Sequence, residues 1–294
     1  MVSLDLKTAN SLRVEEEERD IDGQTLVIRP SQGWVPVNLK DLWAYRGLLY
    51  FLAWRDIRVR YAQASLGIVW TLLKPVSITF VFSIFLGSLA QVPSDGLPYP
   101  IFAYCALLPW QLFSQTLVGS SNSLVANQNL LTKVYFPRLL IPLSAIAAGI
   151  LDFLIAAAVL VGMMAYYRIM PSSHIYLFPL FVLLAIVAAL GVGLWFSALN
   201  VRYRDVGHAL PFVAQLWLFA TPVVYPISLV PESWRHWMGL NPMTSVVEGF
   251  RWAILGVEGI HVFTIVLSGI VASIVLASGL YYFRRMEQTF ADVV

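Results

Sequence analysis

Residues 139–167 read LLIPLSAIAAGILDFLIAAAVLVGMMAYY, and this stretch decides the class of fold. A helix rises about 1.5 Å per residue, so about 20 apolar residues cross the hydrocarbon core of a bilayer. The quoted run exceeds that length and carries one charge, Asp152. It reads as a membrane span. Working outward, five more segments have the same character, near 67–91, 100–125, 177–199, 209–228 and 261–283. The whole chain agrees with its parts: of 294 residues 59% are hydrophobic and 12% charged, where a soluble domain averages about 45–50% and about 25%. A water-soluble domain and a disordered chain are both excluded. The expected fold is all-α and polytopic, with six transmembrane helices.

The segments between the spans are as informative. Residues 1–35 read as a solvated, unstructured cytoplasmic tail with an acidic run, Glu15 to Glu18, and 36–294 as a single transmembrane domain. The polar start has no basic or apolar leader, so no cleavable signal peptide is expected. Across 39–63, Leu42, Trp43, Tyr45, Leu49, Leu52, Ile57 and Tyr61 alternate with Lys40, Arg46, Arg55, Asp56, Arg58 and Arg60. That is too charged to span and suits an amphipathic helix lying in the interface. Between the fifth and sixth spans, 227–259 is broken by Pro231, Gly239, Pro242, Gly249 and Gly256. Its apolar pieces, 234–240 and 245–255, are too short to cross and predict re-entrant or interfacial half-helices on the periplasmic side.

Basic residues set the orientation. With the N-terminus inside, the cytoplasmic face carries Arg55, Arg58, Arg60, Lys133, Arg138, Arg202, Arg204, Arg284 and Arg285, and the outer face Arg168, Arg235 and Arg251. Both termini are therefore expected in the cytoplasm. No internal repeat supports an inverted-repeat transporter.

The chain offers little chemistry of its own. No G-x-x-x-x-G-K-[ST] phosphate loop is present, so ATP and its magnesium would be bound by another polypeptide. His174, His208, His236 and His261 lack metal-ligand spacing, and the single Cys105 builds neither a disulfide framework nor a thiolate cluster, so no metal site is expected. The net charge of +2 gives no reason to expect nucleic acid. Acidic residues within the spans reduce to Asp152, too few for a membrane enzyme or a proton relay. Asp152 is either a polar anchor in a translocation path or subunit interface, or a carboxylate bonded to neighbouring helices. Tyr104, Trp110 and Phe113 on the second span and Trp217 and Phe219 on the fifth are candidates for lining a channel, where aromatic faces would stack on sugar rings. The alternative is the interfacial belt that Tyr and Trp commonly form.

The loop Asn127-Gln128-Asn129-Leu130-Leu131-Thr132-Lys133-Val134-Tyr135-Phe136-Pro137-Arg138 turns from polar to basic to aromatic and is then broken by proline. It suits a short surface helix offering Tyr135 and Phe136 to a partner, or an ordinary basic cytoplasmic loop. Asn200-Val201-Arg202-Tyr203-Arg204-Asp205-Val206 has similar character.

Residues 130–138 and 200–206, Thr221-Pro222-Val223-Val224-Tyr225-Pro226, Asn241-Pro242-Met243 and Phe283-Arg284-Arg285-Met286-Glu287 together resemble the type-2 ABC exporter permeases of the O-antigen and polysaccharide export family. The likeness runs in order from about Leu39 to the C-terminus. It implies a homodimer in the bacterial inner membrane, paired with two copies of a nucleotide-binding ATPase and exporting a lipid-linked polysaccharide. It further implies that Lys133, Val134, Tyr135, Phe136, Pro137 and Arg138 dock in the ATPase, and that Arg55 to Tyr61 belong to a gate helix. Physically, Arg55, Arg58 and Arg60 at headgroup level can hold a pyrophosphate through charge-assisted hydrogen bonds, or simply anchor the helix. Related expectations are export of capsule or teichoic acid, of a drug or of a lipid. A polyprenyl-lipid membrane enzyme is the reading from another class.

Overall fold

A computed structural model describes residues 39–62, 67–257, 261–287 and 290. The expected tail, 1–35, lies outside the described residues. Every regular element among the described residues is helical, as lipid requires of a chain whose backbone polar groups must be satisfied within one segment. Short α1 (Leu39–Ala44) and α2 (Arg46–Ala62) come first. Then follow α3 (Ile68–Phe82, continued as a π-turn to Leu89), α4 (Tyr99–Ala126), α5 (Gln128–Lys133) and α6 (Leu140–Tyr167). The second half holds α7 (Phe178–Arg202), α8 (Asp205–Ala220), α9 (Glu232–Met238), α10 (Pro242–Phe250, with a π-turn to Leu255) and α11 (Val262–Glu287).

Among the described residues, five stretches are long and apolar enough to cross a membrane: Val69–Leu89, Tyr99–Ala126, Leu140–Tyr167, Ile175–Arg202 and Val262–Glu287. The chain is a multi-pass membrane protein. The stretch expected as a further span, 209–228, is instead α8, only 16 residues long. Its early end has a local cause. Proline disfavours helical geometry in the residue before it, and Thr221, ahead of Pro222, takes φ −109° and ψ 141°.

The spans have different surroundings. α4 is the central helix, with 78% of its most apolar 18-residue stretch buried, against only 11% for the corresponding stretch that begins in α3. α4 packs chiefly on α6 and α7, and α7 on α11. The α7–α11 crossing needs glycine. A Cβ on Gly279 would lie 2.4 Å from the Gly191 carbonyl oxygen, and one on Gly191 2.7 Å from the Leu276 nitrogen. Such backbone contact is how membrane helices gain packing when lipid offers no hydrophobic drive.

α2 lies along α6. Leu52 is fully buried there, Ser144 donates to Asp56 at 3.0 Å, and Trp43, Tyr50, Phe51 and Trp54 remain exposed. Buried, aromatic and charged residues thus share this helix, which is not among the stretches apolar enough to cross a membrane.

Candidate functional site

One face each of α3, α4 and α8 encloses a cavity of about 1040 Å³. The lining follows helical spacing: Trp70, Thr71, Lys74, Ser77, Ile78 and Val81 from α3, and Trp110, Gln111, Ser114, Gln115 and Val118 from α4. The α8 wall brings Ala214, Gln215, Leu218 and Phe219. Amides, hydroxyls and aromatic rings therefore share one wall at membrane depth.

The charged residues on that wall are Arg60, Lys74 and Asp152. Asp152 projects from the middle of α6 and is buried. The Arg60 guanidinium and the Tyr61 hydroxyl, both from α2, donate to its two carboxylate oxygens. Thr71 of α3 donates to the same carboxylate at 3.5 Å, and Arg60 also reaches the Gln115 carbonyl at 3.4 Å. Burial, reinforced by the bond to Asp152, raises the Tyr61 phenol above its ordinary value, so it stays a donor at neutral pH. An intramembrane carboxylate thus joins α2, α3 and α6 at the edge of the cavity.

The three candidate arginines of α2, Arg55, Arg58 and Arg60, have different surroundings. Arg55 pairs with its neighbour Asp56 at 2.7 Å, Arg60 pairs with Asp152, and Arg58 is exposed. The five candidate aromatics also separate. Trp110 and Phe219 lie on the cavity wall. Tyr104 is buried and donates to the Ala156 carbonyl at 2.9 Å. Phe113 is buried behind the wall, its ring centroid 5.3 Å from that of Trp110 and edge-on to Trp217 at 5.2 Å. Trp70 and Phe82 join the wall from α3, a position their spacing from Lys74 and Ile78 on one helical face could have signalled.

At one end of the bundle, the loop after α4 carries α5 and then an extended turn. Lys133, Val134 and Tyr135 are exposed, whereas Phe136 turns inward among Leu131, Leu139, Phe283 and Phe290. Glu287 at the end of α11 clasps this turn. Its carboxylate accepts the Arg138 backbone N–H at 3.3 Å and the Arg284 guanidinium at 2.8 Å, and its carbonyl accepts the Arg138 guanidinium. Asn200 secures the neighbouring loop: its amide donates to the Ser121 carbonyl at 3.1 Å and accepts the Gly207 N–H at 2.9 Å.

At the other end, the chain from Thr221 to Leu255 is knotted around Arg251. This residue, counted among the outer charges by its sequence position, is wholly buried. Its guanidinium donates to the carbonyls of Pro222 and Val223, both at 2.7 Å, and pairs with Glu248 at 2.8 Å. It also lies 3.6 Å from the ring centroid of Phe102 on α4. Tyr99 donates to the Val224 carbonyl at 2.7 Å. Asn241 caps α10, accepting from the Met243 N–H at 3.1 Å, and donates to Thr221 at 2.8 Å. The i,i+3 spacing of Glu248 and Arg251 was readable; the carbonyls that complete the guanidinium shell come from 28 and 29 residues away.

Residues 47–255 match the family model described as ABC-2 type transporter. The chain is 33% identical over 216 residues to an O-antigen export system permease protein of Myxococcus xanthus, covering 72% of this chain and 82% of that protein. A protein of the same description from Klebsiella pneumoniae is 28% identical over 84% of this chain and 95% of its own length. The polysialic acid transport protein of Escherichia coli is 27% identical over 68% of this chain and 78% of its own.

Proposed function

The chain belongs to the ABC-2 type transporter family, and from that premise we propose that it is the permease of an exporter moving a lipid-linked, O-antigen-type polysaccharide across the bacterial inner membrane. The observation that carries this reading is the cavity between α3, α4 and α8, where Trp70, Trp110 and Phe219 share a wall with Gln111, Gln115 and Ser114. Aromatic faces suit the apolar faces of sugar rings, and amides suit their hydroxyls. The relatives described as O-antigen export permeases support the substrate class, and the similarity to a polysialic acid transport protein keeps a capsule polymer as the second reading.

In this reading α8 is a sixth, short crossing. Its 16 residues cover about 24 Å at about 1.5 Å each, and the turn at 221–225 completes the passage. α9 and α10 then form half-helices that return into the outer leaflet and close the periplasmic end, and both termini face the cytoplasm. Two copies of the chain assemble with two nucleotide-binding subunits, which hold ATP and magnesium and carry out hydrolysis. Lys133 to Arg138 dock on those subunits, with Tyr135 as the exposed contact. Arg58 meets the substrate headgroup at the membrane surface, and Arg60 does so when it leaves Asp152.

Deletion in the native host tests the substrate. A strain lacking this chain should lose surface polysaccharide and accumulate the lipid-linked polymer on the cytoplasmic side, with both changes reversed by the wild-type chain. Unaltered surface polysaccharide would remove the proposal.

A further inference from the structure

Two neighbouring layers of the cavity's polar residues, about one helical turn apart along α3 and α4, differ in how they are satisfied. The layer nearer α2 is closed on itself: Arg60 and Tyr61 are bonded to Asp152, Thr71 reaches the same carboxylate, and Gln115 accepts from Arg60. Lys74 follows Thr71 by three residues on the same face of α3, and Gln111 precedes Gln115 by four on the same face of α4. These offsets shift the two outward by about 4.5 Å and about 6 Å, which brings both to the next layer of the wall.

That outer layer is incomplete. Lys74 lies five residues inside the span that begins at Val69, about 7–8 Å along the helix. Among the described residues it forms no salt bridge. Asp152, the one carboxylate on the wall, is already taken by Arg60. Opposite, the Gln111 side-chain nitrogen is shielded from solvent and has no hydrogen-bond partner among the described residues. An ammonium at membrane depth without a counter-ion is costly, and an orphaned amide donor adds to that cost. A cation and a donor facing one cavity are complementary to an anion with several acceptor oxygens.

We infer that Lys74 and Gln111 form a phosphate-binding station inside the cavity, one helical turn beyond the Arg60–Asp152 pair. Its ligand is the phosphate or diphosphate of a membrane lipid, because lipid headgroups are the phosphate anions that reach such a wall laterally from the bilayer. Under the permease reading, on which this assignment of the ligand rests, the station holds the diphosphate of the polymer's lipid carrier after it has passed Arg60. The Arg60–Asp152 pair then acts as the preceding step, its carboxylate occupying the guanidinium until a phosphate displaces it.

Binding can be measured on the full chain in nanodiscs of neutral phosphatidylcholine, without the ATPase, so that the result is independent of whether export is detected. Native mass spectrometry and fluorescence titration with a short-chain polyprenyl diphosphate supply the readout, and phosphatidylglycerol supplies a second arm. Lys74→Gln should weaken diphosphate binding about tenfold with an unchanged melting temperature, and Lys74→Arg should restore it. Gln111→Leu, which keeps the volume and removes the donor, should weaken binding by a smaller factor and serves if Lys74→Gln fails to fold. Lys74-dependent binding of phosphatidylglycerol with equal strength would support the station and assign it to ordinary anionic phospholipid. Binding of both lipids unchanged in Lys74→Gln and Gln111→Leu would overturn it.

Discussion

Arg251 illustrates how one residue can hold an irregular segment in place. A guanidinium presents five donors in a planar fork, and here that fork serves two carbonyls of the 221–225 turn and the Glu248 carboxylate while its face rests on Phe102. In a membrane protein the carbonyls of a broken helix need such donors, because lipid supplies none. Arg251→Met should therefore cost about 3–5 kcal/mol, the range for breaking a buried pair by removing one partner, read as a fall in unfolding midpoint in detergent. The double replacement Glu248→Gln with Arg251→Met should recover only part of that loss, because the Pro222 and Val223 carbonyls stay orphaned. Wild-type stability in Arg251→Met would show the fork to be dispensable. Asp152 is a different case. Its partners Arg60 and Tyr61 come from α2, and the Arg60 side chain is partly exposed, so the pair is open to competition from an incoming anion in a way that the wholly buried Arg251 is not.

At the scale of elements, the stretch from α5 to α6 combines a buried anchor with an exposed tip. Phe136 is 5% exposed and Tyr135 70%. Adjacent residues of an extended turn point to opposite sides, so one can fix the loop in the core while the other meets a partner. Phe136→Ala should lower stability by about 3–5 kcal/mol, the usual cost of emptying a buried phenylalanine site. Tyr135→Ala should leave the melting temperature unchanged and reduce the amount of nucleotide-binding subunit that co-purifies. Equal loss of co-purification in both, with equal melting temperatures, would contradict this division. The clasp of Glu287 on Arg138 extends the loop's support to the end of α11.

For the whole molecule, the distribution of burial matters most. α4 sits at the centre with α6 and α7 against it, while α3 and α8 flank the cavity with broad exposed apolar faces, including Phe80, Phe85, Phe212 and Leu216. Lipid covers part of such a surface, and a second copy of the chain covers another part in the proposed assembly. Native mass spectrometry of the complex purified with its nucleotide-binding subunit should give two copies of each chain. A complex holding one copy of this chain would exclude the dimer.

How much of this could be read beforehand differs by feature, for physical reasons. Hydropathy and length reveal spans because transfer into lipid is a local property of some 20 residues, and the run at 139–167 emerged as α6 with nearly the expected bounds. The alternation of arginines and aromatics at 39–63 likewise marked a segment too charged to span, and it is the helix α2, which is not among the apolar crossings. Even the short α8 has a local origin in Thr221-Pro222, although an apolar run across 209–228 concealed it. The candidate site was only partly legible. Asp152 stood out as the lone acid within the spans, but its partners lie 81 to 92 residues away. Arg251 looked like an outer-loop charge and is the buried centre of the turn at 221–225. Sequence by itself determined the solvent, the helices and the family, because these depend on composition and periodicity. Only the tertiary structure decided which charges are satisfied and which face an empty wall, because pairing depends on distances between helices that no local pattern records.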